Sequence, residues 1–117
     1  MNQPADATFG GGGDCSGGES FALRVIGDDM APEFRDGEII IVEPDGALKD
    51  GSYVLAQLDG EWTFRQLLRR GERWLLHALN PARTDLPEQP LADLSAVRGV
   101  VIQKAVPGRR RLSKSYL

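Results

Sequence analysis

Four Asp-Gly pairs fall within residues 36–60, at 36–37, 45–46, 50–51 and 59–60. Glycine takes positive φ without steric cost, and aspartate before it favours a tight reversal, so chain punctuated this often suits short strands. The segments between the turns agree. Phe21, Leu23 and Val25 alternate with Ala22, Arg24 and Ile26, a period of two. Residues 38–43 form a β-branched run that suits a strand buried on both faces. Residues 53–58 read as a third strand, and Asp59-Gly60 as a two-residue hairpin turn into a return strand over 61–68. That strand carries Trp62, Phe64, Gln66 and Leu68 on one face and Thr63, Arg65 and Leu67 on the other. Gly71-Glu72 marks another hairpin into residues 73–79. Residues 80–91 contain three prolines and read as a loop or edge segment, and 97–106 as the last strand. Helical periodicity is weak throughout; at most residues 30–35 form one turn. The fold class is mostly β: short antiparallel strands in a folded sheet or open barrel.

A chain of 117 residues suits one domain. Its folded part is expected over residues 21–106. Residues 1–20 hold six glycines between Gly10 and Gly18 and no periodicity, which predicts a flexible Gly-rich arm carrying Cys15 as an exposed thiol. Residues 107–117, with Arg109, Arg110 and Arg111, read as a solvated basic tail. The longest aliphatic run, Ile39 to Val42, is four residues against the roughly 20 a membrane-spanning helix needs. The start lacks a basic stretch followed by an apolar one, so no secretory signal is expected and the cytoplasm is the expected compartment. One cysteine and one histidine, His77, make neither a disulfide nor a metal site, so no metal and no cofactor are expected. Residues 1–61 carry 13 acids and 3 bases, and residues 62–117 carry 4 acids and 11 bases. We expect the two halves to lie against each other and neutralise locally, since a nucleic-acid-binding domain usually has a basic total.

The order Gly27-Asp28-Asp29-Met30, Asp36-Gly37, the strand 38–43, Thr63-Phe64-Arg65, Asn80-Pro81 and the strand after Arg98 resembles the S24 peptidase family, the self-cleaving domain of LexA, phage-repressor and UmuD type. The resemblance covers about residues 21–106. It implies a LexA-like folded sheet and a cleft motif of Gly27, Asp28, Met30, Asp36, Gly37 and Thr63. It also implies a homodimer, for which the strand around Val100, Val101 and Ile102 is a candidate contact, although the same run is explained equally well as core. In the family a serine precedes the methionine and a lysine follows two residues after the threonine. Here those positions hold Asp29 and Arg65.

Both replacements remove a chemical requirement. A carboxylate has no hydroxyl to attack with, and a guanidinium with a pKa above about 12 cannot serve as the neutral base that activates one. Lys49, Lys104 and Lys114 are not at the base position, and Ser20, Ser52 and Ser95 lie elsewhere in the pattern. Asp28 and Asp29 as neighbours in an extended segment should point to opposite faces, which argues against a proton-sharing pair. Asp29 and Arg65 should instead meet as a bidentate pair across the cleft. The function expected is a catalytically inactive regulatory module that dimerises and holds an extended peptide segment in the cleft. A self-cleaving enzyme with unusual residues, or a UmuD-like accessory to an error-prone polymerase, is the alternative. A repressor, a recombinase filament or a polymerase is the partner class the resemblance implies. With little room ahead of residue 21 for a helix-turn-helix, no direct DNA-binding domain is expected.

Overall fold

The computed structural model describes residues 19–117; the glycine-rich arm and Cys15 lie outside the described residues. Eight strands form one sheet: β1 (Phe21–Arg24), β2 (Ile39–Glu43), β3 (Tyr53–Leu58), β4 (Glu61–Arg70), β5 (Arg73–His77), β6 (Gln89–Leu91), β7 (Val97–Ala105) and β8 (Lys114–Ser115). Their order is β1-β2-β7-β3-β4-β5-β6, with β8 beside β7, and every pairing is antiparallel. The path ends in β1 and β6 without closing, so the mostly β, folded open sheet is what the turn spacing predicts. Among the described residues no helix is long and apolar enough to cross a membrane.

Period-two alternation builds two cores. In β3, Leu55 enters the first core while Val54 and Ala56 enter the second; in β7, Val101 and Val100 divide in the same way. The first core joins them to Val25, Met30, Phe34, Ile40, Val42 and Phe64, and the second to Leu67 and Leu76. A central strand buried on both faces removes apolar area from water twice over, at roughly 25 cal/mol per Å2. The hairpin between β3 and β4 turns at Asp59 and Gly60 with φ of 52° and 82°, the left-handed pair that a tight two-residue turn requires.

Five expectations change. First, β2 is not equally buried on both faces: Ile40 and Val42 are fully enclosed, but Ile39 and Ile41 are only half-covered. Second, the basic end is not simply a solvated tail. Residues 110–112 make one tight turn and β8 follows, pairing Lys114 with Lys104 and Ser115 with Gln103. Tyr116 then packs on Phe34 and Tyr53 and donates to Glu33 Oε2 at 2.6 Å. Third, Val100 and Val101 are spent on the chain's own cores, so of the three residues proposed for contact between copies only Ile102 keeps a partly exposed side chain. The fourth and fifth lie at the site, where Asp28 and Asp29 turn to one cation and Asp29 meets Arg65 through a single bond. The single turn over residues 30–35 is present, with the Phe34 N–H donating to the Met30 carbonyl at 2.9 Å.

The charge halves do meet. Asp29 pairs with Arg65, Asp28 with Arg83, Glu33 with Lys114 and Glu38 with Lys104, four acids of residues 1–61 against four bases of residues 62–117.

Candidate functional site

The site forms where the segment after β1 crosses the first half of β4. Gly27 adopts a φ of 93°, a conformation closed to most side chains, and this turns the chain out of strand direction before Asp28. The bend is held from behind: the Gly27 N–H donates to Asp36 Oδ1 at 2.7 Å, and the Gly37 N–H to the Val25 carbonyl at 2.8 Å. Asp36 and Gly37 therefore shape the turn. Met30 is buried in the first core and anchors it. Asp28 and Asp29 are left facing outward at its apex.

Arg65 comes from β4 and reaches Asp29 Oδ2 from Nη1 at 3.1 Å, with its side chain 15% exposed and that of Asp29 34%. The pair is single-bonded, not the expected bidentate fork, because the other Asp29 oxygen is taken. Arg83 Nη1 donates to Asp29 Oδ1 at 3.0 Å and to Asp28 Oδ1 at 2.6 Å. The two carboxylates thus face one nitrogen, correcting the expectation that they point apart; the segment is a turn, not extended chain. The true fork is between Arg83 and Asp85, with Nε and Nη2 each 2.9 Å from a carboxylate oxygen. Hydrogen bonding to Arg83, aided by a backbone bond, holds the Asp85 carboxyl down at about 2, while Asp85 and Asp28 raise Arg83. Asn80 fastens the same loop, donating from its backbone to the Asp29 carbonyl at 3.1 Å and from its side chain to the Asp28 carbonyl at 2.9 Å.

Arg83 is the residue bound to the site's two carboxylates that sequence reasoning missed. Two adjacent acids at a turn call for a cation between them, and Arg83 with Asp85 after the Asn80-Pro81 turn was the available signal. At the other end of the loop, Glu88 accepts from Arg70 at 2.9 Å twice over and lies 3.2 Å from His77 Nδ1. His77 is thereby a structural partner of the loop.

β5 pairs with β4 only from Gln66 onward, leaving residues 61–65 paired on the β3 side alone. Leu67 exchanges both backbone bonds with the β3 side, through the Ser52 carbonyl and the Gly51 N–H, each at 2.7 Å. By alternation Thr63 and Arg65 face β3, whereas the backbone groups of Trp62 and Phe64 face the open side. Arg65 Nη1 covers one of these, donating to the Phe64 carbonyl at 2.7 Å. Grooves flank this half-strand. One, of about 510 Å3, lies between it and residues 86–90; the other, of about 210 Å3, lies against Val25, Ile26, Met30 and Trp62. Glu61, Thr63 and Arg65 border both. Among the described residues no cluster of metal-ligating side chains occurs.

A folded sheet whose cleft sets one side chain ahead of a buried methionine against another two residues after a threonine defines a class, and the comparisons give it a family. The chain belongs to the Peptidase S24-like family, whose model matches residues 6–102. It is 35% identical over 95 residues to the prophage repressor CohE of Escherichia coli (strain K12), covering 80% of this chain and 42% of that protein. It is 37% identical over 90 residues to the LexA repressor of Syntrophotalea carbinolica, covering 73% and 42% respectively. It is 38% identical over 93 residues to the HTH-type transcriptional regulator for conjugative element SXT of Vibrio cholerae, covering 74% and 42%. The chain thus spans less than half the length of these relatives.

Proposed function

We propose that this chain is a regulatory S24-type module that holds an extended peptide without cutting it. The observation that carries the reading is the Asp29–Arg65 ion pair, 3.1 Å long, at the two positions where the family's pattern puts a nucleophile and its base. An S24 reaction needs a hydroxyl to form the acyl bond and a neutral amine to take its proton. Asp29 supplies no hydroxyl, and a guanidinium such as that of Arg65 is not the amine this chemistry uses as its base. What the cleft keeps is a half-strand open on one side and grooves for alternate side chains, the parts strand addition uses. The folded unit runs from β1 through β8 and Tyr116. The repressor relatives support a place in transcriptional control of repressor or SOS type, with a second copy of the chain and a repressor-class protein as partners.

The test is mass spectrometry of the stringently purified chain after long incubation at raised pH, where a family dyad would speed up. The intact mass is expected to persist. A discrete truncation within residues 1–20, retained through repurification, would overturn the reading. Asp29→Ser with Arg65→Lys restores the dyad's residue types, and cleavage in that variant alone would locate the loss of activity at these two positions.

A further inference from the structure

We propose that the cleft selects an extended peptide in which basic and apolar residues alternate. This rests on the peptide-holding reading above and adds the chemistry of the occupant. A strand laid along the open side of residues 61–65 sends successive side chains to opposite faces of the sheet. The two faces differ here. On one lies the groove of about 510 Å3, whose rim carries Asp59, Glu61 and Glu88 against Arg65 as the only base. Arg65 is neutralised by Asp29 and Glu88 by Arg70, whereas Asp59 and Glu61 make no ion pair among the described residues. This face therefore presents two uncompensated negative charges above a floor that includes Leu76. On the other lies the groove of about 210 Å3, where Val25, Ile26, Met30, Trp62 and Phe64 form the wall next to the mutually neutralised Asp29 and Arg65, with Glu61 and Thr63 on the border the two grooves share. Ile26 is 50% exposed at its edge, one of the few large apolar side chains the chain leaves uncovered. A peptide that meets both faces puts cations on the first and aliphatic side chains on the second.

Its backbone has partners too. Trp62 and Phe64 turn their main-chain groups to the open side, and the Phe64 carbonyl is held by Arg65, which must swing aside for the added strand. Binding of this kind reports directly on those two amides.

The experiment uses the full chain, labelled with nitrogen-15, and two blocked octapeptides, one alternating lysine with valine and one alternating glutamate with valine. The lysine–valine peptide should shift the Trp62 and Phe64 amide signals and bind about tenfold more tightly than the glutamate–valine peptide, the size two surface charge pairs supply. Glu61→Gln should narrow that preference and Glu61→Lys should remove it; the side chain is exposed, so neither change threatens the fold. Equal binding of the two peptides, shifts confined to other amides, no binding of either, or indifference to Glu61→Lys would each overturn the proposal. None of these results bears on self-cleavage, which the intact-mass measurement reads separately.

Discussion

Asp29 divides its two oxygens between arginines from different elements, so removing the acid and removing either base are unequal losses. Asp29→Ala leaves Arg65 with only the Phe64 carbonyl, whereas Arg65→Ala leaves Asp29 still bonded to Arg83. We expect the first to lower stability more than the second, and the double variant to cost less than the sum, with a coupling of about 0.5–1.5 kcal/mol by urea unfolding. Strict additivity would mean that the contact carries no energy. Asp85 gives a pH signature. Its carboxyl is held at about 2, below its ordinary 3.8. A depressed folded-state pKa contributes stability above the unfolded pKa that is lost as pH falls through the folded one. That part of the stability should disappear between about pH 4 and pH 2, and Arg83→Met should return the Asp85 carboxyl titration, followed by NMR, towards its ordinary value. At this scale the sequence showed Asp29 and Arg65 because a motif places them, while Arg83 sits in a proline-marked loop whose path no periodicity specifies.

Strand β7 runs through the middle of the sheet and touches β2, β3 and β8. Gly99 marks a close approach to β2: a Cβ there would lie 2.5 Å from Val42 Cγ1 and 3.4 Å from the Glu43 carbonyl. Gly99→Ala should therefore overpack the junction and cost about 1–3 kcal/mol, measured as a lower denaturation midpoint with an unchanged denaturant slope. The strands themselves were legible because alternation and Asp-Gly turns are local signals. β8 was not, because two residues after an arginine run carry no pattern; Tyr116 packing beside Phe34 and the bonds of Lys114 and Tyr116 to Glu33 draw them onto the sheet. The even burial expected for β2 failed for a related reason: four consecutive aliphatic residues hide which face is covered, and only the face carrying Ile40 and Val42 turns into the first core.

On the scale of the molecule, charge is arranged to close the chain on itself. Acids of the first half bind bases of the second at four places, so a sequence that looks polarised neutralises itself locally on folding, mostly at the surface. Lys104 and Glu38 form the most enclosed of these pairs, with side chains 11% and 10% exposed. Val100 and Val101 are almost wholly buried, yet they line the bottom of a surface groove of about 330 Å3 whose more accessible lining includes Ile102, Tyr53, Tyr116 and Leu117. If that groove joins two copies, light scattering should give about twice the 12.8 kDa chain mass, and Ile102→Asp should return the value to that of one chain; a single-chain mass for the unaltered protein would rule the pairing out.

The guanidinium resting on the Phe64 carbonyl has one more effect. A half-strand without a neighbour invites indiscriminate partners, including other molecules of the same kind, and natural sheets blunt such margins with charge. Arg65 does this from within the margin itself, because a guanidinium seated on the Phe64 carbonyl occupies the acceptor that a second molecule would need to begin zipping into ribbons.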